Sequence, residues 1–199
     1  KYMSVWLVID GNSLANRCYF GISRLTTPEG RPANAVFGFM SVLKRIVDRF
    51  NPDYVVGAFD AHAKTFRHDK YDDYKAGRSP MPDDLREQMP VIKEALSAMG
   101  ALVAEIPGFE ADDILGTVSN IKSDDKVYLV TGDRDCFQLI NDNTNVCFLC
   151  GKKAKSEGYT LYGKEDFETE YGFEPEHIID LKALMGDSSD NIPGVKGIG

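Results

Sequence analysis

No stretch of this chain approaches the roughly 20 consecutive apolar residues that cross a bilayer. The N-terminus also lacks the basic, apolar, then small-residue order of a secretory leader. A protein without a membrane partner, in the cytoplasm, is therefore the default expectation. Cysteine is scarce, with Cys18, Cys136, Cys147 and Cys150 only. The lone Cys147-x-x-Cys150 has no second pair and no nearby histidine, which argues against zinc. Its place in the apolar run Val146 to Cys150 reads as small core residues instead. Repeats and low-complexity segments are absent. Positive charge is in short supply: 23 Lys and Arg against 31 Asp and Glu give a net charge of −8. That sign opposes a nucleic-acid partner, unless many acids converge on one divalent-cation site, where bound cations invert the local field.

What is present suits one globular domain, or one with a small appendage, large enough to bury a sizeable core. Val5 to Ile9 is a continuous apolar run, as in a strand buried on both faces. Ser13 then caps a helix to about Phe20. Residues 21 to 33 read as a loop, and Val36, Phe39, Met40, Leu43, Ile46, Val47 and Phe50 keep helical spacing. Tyr54 to Phe59 is a second buried strand. Residues 61 to 82 are polar, basic and aromatic without a stable period. Asp83 or Asp84 caps a helix running to Met99, Ala101 to Ile106 forms a third strand, and Val127 to Val130 a fourth. A short helix is expected near Cys136 to Ile140, short edge strands near 146–149 and 159–161, and helices near 164–171 and 175–185. This alternation predicts an α/β fold with a mostly parallel twisted sheet, helices on both faces.

In such sheets, ligands bind outside the carboxyl ends of the strands. Asp10 and Asp60 directly follow their strands, Glu110, Asp112 and Asp113 follow the third, and Asp133 and Asp135 follow the fourth. One acid at a strand end means nothing, and acids in a helix's first turn commonly answer its dipole. Acids after all four strands place a carboxylate cluster on one rim, and such a cluster needs protons or cations to neutralise it. Oxygen-only donors point to magnesium or manganese. Their number suits two ions about 4 Å apart, the arrangement used for in-line attack on a phosphodiester. Glu110 and Asp112 fit one ion together only if Glu110 lies at or before the helix start.

Two further stretches have bland readings and sharper ones. Asp187 and Asp190 sit in Gly186 to Asn191, either a capped surface turn or more of the acid set. The Gly-alternating Ile192 to Gly199 resembles the hairpin of helix-hairpin-helix DNA binders. Residues 64 to 78 interleave bases with aromatics. They form a solvated loop, or they bring cations to a scissile phosphate and Tyr71 or Tyr74 to stack on an unpaired base.

Taken together, Val8 to Asn12, Phe59-Asp60, Phe66-Arg67, Tyr74 to Arg78, Gly108 to Asp113, Thr131 to Asp135 and Gly186 to Gly199 resemble the 5′-nuclease family. That family comprises the N-terminal domain of bacterial DNA polymerase I, stand-alone 5′–3′ exonucleases and flap endonucleases. The resemblance implies a single nuclease domain over 1–199. Its PIN-like core spans about 5–171 with an arch-like insertion at about 61–82, and 172–199 starts a helix–three-turn–helix motif. It implies structure-selective cleavage at 5′ flaps and 5′ ends of DNA, with RNA–DNA hybrids as further substrates, in replication and repair. It also implies a monomer, or a domain fused to a polymerase.

By position, Asp10, Asp60, Glu110 and Asp112 would hold the first metal, and Asp133, Asp135 and Asp187 would serve the second. Asp113 and Asp190 would act directly or through water. Lys75 and Arg78 match the basic pair at the foot of the arch, catalytic alongside Asp10 and Asp112, and Tyr74 matches a stacking position. Arg67, Gly194, Lys196, Gly197 and Gly199 complete the implied DNA contacts. Family members continue beyond the position of Gly199, so weaker duplex binding is expected, and potassium at the hairpin only with the whole motif. Three competitors fit less well. A haloacid-dehalogenase-like phosphatase needs an acid at Asn12. A PIN-type ribonuclease usually lacks the basic-aromatic insertion and the hairpin. A catalytically dead DNA-structure binder predicts a broken acid set.

Overall fold

Val5-Trp6-Leu7-Val8-Ile9 offers no polar face to solvent, and it forms the central strand β1 (Val5–Asp10), with Leu7, Val8 and Ile9 fully buried. The computed structural model describes residues 3–61, 63–121, 124–151 and 153–198. After β1 come α1 (Gly11–Gly21), α2 (Asn34–Phe50), β2 (Tyr54–Phe59), α3 (Phe66–Lys70), α4 (Asp83–Arg86), α5 (Gln88–Ala98) and β3 (Leu102–Glu105). Next are α6 (Ala111–Ser119), β4 (Lys126–Thr131), a 3-10 helix over Arg134–Leu139, β5 (Thr144–Phe148), α7 (Ala154–Glu157), β6 (Thr160–Tyr162) and α8 (Lys164–Tyr171). A 3-10 turn at Pro175–His177 leads into α9 (Ile178–Met185) and the two-residue strands β7 (Gly186–Asp187) and β8 (Ile192–Pro193).

The main sheet has the order β3-β2-β1-β4-β5-β6, parallel except for the β5–β6 pair. Alternate β1 side chains serve opposite layers. Leu7 and Ile9 pack with Leu14, Phe39, Leu43, Ile46, Ile92 and Leu96 of α1, α2 and α5. Val8 packs on the other face with Ile114 and Leu115 of α6, Phe137 and Phe167. The mostly parallel sheet with helices on both faces expected from the strand–helix rhythm is the one observed, in keeping with the PIN-like core that the resemblance implies. Because the chain leaves β1 for β2 on one side and later returns to β4 on the other, a crevice opens beyond the carboxyl ends of β1 and β4. No helix among the described residues is long and apolar enough to cross a membrane.

Several local expectations differ from the structure. Asp10, not Ser13, caps α1, its carboxylate accepting the Ser13 N–H. The helix expected to run unbroken to Met99 is interrupted at Glu87, because Pro90 has no N–H to give the Arg86 carbonyl. Pro82, rather than an aspartate, stands at its cap, with Asp83 and Asp84 in the first turn. Residues 63–82 are not a plain loop, since they contain α3 and a further run of turns. The antiparallel pairing near the C-terminus joins Gly186 to Pro193 and Asp187 to Ile192, so it turns through residues 188–191, and only the first two residues of the Gly-alternating stretch take part.

The start of α1 is packed hard against β2. A Cβ on Gly11 would lie 2.2 Å from the Phe59 ring, one residue before Asp60. Gly11→Ala is therefore expected to destabilise by about 1–3 kcal/mol through overpacking, measured by urea denaturation. Phe37→Ala, at a position 60% exposed, should stay within about 0.5 kcal/mol of the wild type.

Candidate metal centre

Asp10, Asp60, Asp112 and Asp133 form the inner part of the site. Asp10 ends β1 and is 6% exposed, accepting from Ser13 N at 2.9 Å and from Thr131 Oγ1 at 3.0 Å. The Thr131 hydroxyl also accepts from Asp133 N at 3.0 Å, tying the ends of β1 and β4 together. Asp60 accepts from Ala111 N at 2.8 Å, which fixes α6 against the end of β2. Asp112 lies in the first turn of α6, with the Cys136 thiol 3.6 Å from its Oδ1. Burial, then repulsion from Asp10, Asp133 and Asp60, pushes the Asp112 carboxyl up to about 7. Burial is also the main cause at Asp10, pushed up to about 6 despite its Ser13 and Thr131 hydrogen bonds. None of the four makes an ion pair among the described residues.

The outer acids, by contrast, carry cations. Arg67 grips Asp113 with two parallel bonds of 2.8 Å, which hold that carboxyl below its ordinary value. Lys75 Nζ lies 2.8 Å from Glu110 Oε2, and Arg78 pairs with Asp190. Tyr74 reaches both acids from between, its hydroxyl 3.1 Å from Glu110 Oε2 and 3.1 Å from Asp190 Oδ2. Burial and those two charges hold its phenol well above the usual range. Lys182 Nζ sits 2.8 Å from Asp135 Oδ1 and 2.8 Å from Asp187 Oδ2. Burial raises the Asp135 carboxyl, whereas at Asp187 the Lys182 and Ser189 hydrogen bonds outweigh burial and hold it at about 2.

These groups line a cleft of about 930 Å³. It takes in all the sequence-expected acids except Asp187, which is linked to it through Lys182, and it includes Arg67, Tyr74, Lys75 and Arg78. Glu110 stands at the cap of α6 with extended backbone, φ −102 and ψ 164, as its pairing with Asp112 requires. Tyr74 does not offer a free stacking face: it is 5% exposed, because its ring is packed under the basic segment and its hydroxyl is engaged. Tyr71 is the more open of the two, its hydroxyl donating to the Asn191 carbonyl at 3.1 Å. Gly194, Lys196 and Gly197 are exposed and lie outside the cleft lining, and Gly199 falls outside the described residues. Lys182, Thr131, Ser13 and Cys136 were not foreseen as part of the site. Only the spacing of Lys182 one helical turn before the Gly186-Asp187 stop offered a hint.

The donor set fits a hard divalent cation. Every donor is a carboxylate oxygen; among the described residues two are deeply buried without a counter-charge, and the buried Oδ1 of Asp135 has an ion pair with Lys182 but no hydrogen bond. Among the described residues no three carboxylates converge on one point, so a cation shared by several of them would require their side chains to turn inward.

A carboxyl with a raised pKa binds its proton more tightly in the folded state. The stability contributed by Asp10 and Asp112 is thus complete below about pH 4 and is lost as pH rises through 6 and 7. Asp113 and Asp187, with lowered values, act the opposite way, losing their contribution as pH falls below 4. In EDTA, the melting temperature is expected to peak near pH 4–5 and to fall towards pH 7.5. Asp112→Asn should flatten that fall and raise the pH 7.5 value, as followed by circular dichroism.

Residues 5–172 match the sequence model of the 5′-3′ exonuclease N-terminal resolvase-like domain, and residues 173–199 match that of the 5′-3′ exonuclease C-terminal SAM fold. The chain is 43% identical over 195 residues to DNA polymerase I of Bacillus subtilis, covering 97% of this chain and 22% of that protein. It is 40% identical over 195 residues to DNA polymerase I of Caldicellulosiruptor bescii, covering 97% of this chain and 23% of that one. The chain thus spans less than a quarter of the length of these relatives. In fold it is similar to the T5 D15 protein co-crystallised with metal ions, with TM-score 0.79, 22% identity, and coverage of 98% of this chain and 71% of that one. It is also similar to flap endonuclease-1 from Methanococcus jannaschii, with TM-score 0.59, 17% identity, and coverage of 99% and 68%. With a family model matched across its α/β core and a second across the remainder, the chain belongs to the 5′-3′ exonuclease family.

Proposed function

We propose that this chain is a divalent-metal-dependent nuclease that hydrolyses phosphodiester bonds in DNA at 5′ ends and 5′ flaps, within replication and repair. The observation that carries this reading is the inner acid set. Asp10, Asp60, Asp112 and Asp133 are gathered at the switch point of a parallel sheet, and no side-chain cation among the described residues pairs with them. Like charges so placed are costly unless a cation joins them. Bound there, two magnesium or manganese ions would supply an activated water and would neutralise the leaving oxygen. The family's relatives named DNA polymerase I, and the T5 D15 flap endonuclease D155K complex with DNA and metal ions, are consistent with that substrate class and that cofactor class.

In this reading Asp10, Asp60, Asp112 and Asp133 would hold the inner cation, and Asp135 and Asp187 the outer one; Glu110, expected on the first ion, is left to Lys75, and Asp133, expected on the second, joins the inner set. Glu110, Asp113 and Asp190 would orient the basic segment. Lys75 and Arg78 are held at the cleft by Glu110 and Asp190. A DNA phosphate entering the cleft competes for both, since charge-assisted bonds to phosphate match those to carboxylate. Arg67, in a bidentate pair with Asp113, steadies the wall instead. Residues 61–82 act as the arch of a single nuclease domain, and residues 172–199 open its duplex-contacting motif.

A 5′-flap oligonucleotide tests this. Cleavage should require Mg2+ and stop in EDTA. Asp112→Asn is expected to lower the single-turnover rate by at least about 100-fold while remaining folded. Lys75→Ala should lower it by roughly 10- to 100-fold, the scale of one charged hydrogen bond. Undiminished cleavage by Asp112→Asn would remove this site from the reaction.

A further inference from the structure

Asp135 and Asp187 differ from the inner acids in already having a cation between them. The Asp187 contact is a hydrogen bond from Lys182 at 2.8 Å. The Asp135 contact is an ion pair of 2.8 Å without hydrogen-bond angles, so a buried carboxylate oxygen faces the ammonium and nothing else. The second Asp187 oxygen is taken by Ser189 N at 2.8 Å and Ser189 Oγ at 2.6 Å. One oxygen of each carboxylate, Asp135 Oδ1 and Asp187 Oδ2, thus meets the same ammonium. The two acids come from different elements, the 3-10 helix after β4 and strand β7, and Lys182 comes from α9. Their approach is thus set by tertiary packing and bridged by one positive charge.

We propose that Lys182 is the resident counter-cation of the outer half of the metal centre. It holds Asp135 and Asp187 together in the metal-free protein and must leave before a divalent cation occupies them. This rests on the metal-dependent reading above. Its consequence is an order of loading. The inner acids have no internal competitor among the described residues and bind a cation first. The outer pair binds a second cation more weakly, because each binding event displaces an ammonium. The Lys182 side chain is 38% exposed on a flexible four-carbon stem, so it can swing into solvent without disturbing α9. Lys182 is a positioning residue here, acting through the two carboxylates rather than on the substrate.

Mn2+ alone, titrated into the metal-stripped chain with free Mn2+ followed by electron paramagnetic resonance, tests this without any turnover. The wild type should show a tight and a weaker class of site. Lys182→Met should tighten the weaker class by roughly two- to fivefold, the scale of a partly exposed ion pair, and leave the tight class unchanged. Lys182→Gln serves the same purpose should the Met variant not fold, and Lys182→Arg, which keeps the charge, should retain the wild-type weak class. Melting in EDTA should show folded Met and Gln variants with a lower midpoint than the wild type, recovered by Mn2+. An unchanged or weakened second class in a folded neutral variant would overturn the competition while leaving the metal reading intact. A wild type that binds one Mn2+ only would overturn the outer site, and one that binds none would overturn the metal reading itself.

Discussion

Repulsion among carboxylates held at the carboxyl ends of parallel strands is the constraint to which the rest of this structure answers. Two unit charges about 4 Å apart interact by about 4 kcal/mol at the effective dielectric of a protein surface. A whole domain is stable by only about 5–15 kcal/mol. The fold meets that cost in three ways. Backbone and hydroxyl donors from Ser13, Ala111 and Thr131 are turned on Asp10 and Asp60. The positive ends of α1 and α6 face the cleft, with Asp10 and Glu110 at their caps. Four basic side chains, Arg67, Lys75, Arg78 and Lys182, are set on the outer acids. What these devices leave uncompensated is the inner set, where ligand chemistry has the most to gain.

The sheet is what makes such a gathering inevitable. Parallel strands in the order β3-β2-β1-β4 end on one rim, so an acid placed after each strand falls into the same crevice without any long-range coding. Gly11 and Phe59 bring the first two of these ends into direct contact, and Thr131 ties the first to the fourth. The apolar layers built on Leu7, Ile9 and Val8 hold this frame rigid, so the charged rim is a property of the core behind it.

That logic explains what could be read in the sequence. Asp10, Asp60, Glu110, Asp112, Asp133 and Asp135 were legible because strand ends are marked by apolar runs that stop, and the topology does the rest. Lys182 was not legible. Its partners lie 47 and 5 residues away along the chain (182 minus 135, 187 minus 182), and only the docking of α9 beside the 3-10 helix joins all three. The burial of Tyr74 was not legible for a related reason. An aromatic among bases looks like a stacking platform, yet its exposure is decided by how the segment folds back over Glu110 and Asp190. The interruption at Glu87 is written in Pro90, which sits inside an otherwise good helical period that masks it. Caps were the least legible, since Asp10 serves both as cap and as site residue.

The contacts of the basic segment with the loop after β7 join residues far apart in sequence. Tyr71 to Asn191 spans 120 positions, Arg78 to Asp190 spans 112, and Asn191 to Asp73 spans 118. Each is a polar contact at least partly open to solvent, far too weak to offset closure of so long a loop by itself. They form only because the sheet has already brought their ends together, and they can break without disturbing it. In the vocabulary of local stability, the lid over the acids is therefore a low-energy foldon resting on a high-energy one. Amide exchange through residues 66–78 and 188–191 reports the opening of the cleft, and exchange in β1 and β4 reports the unfolding of the domain.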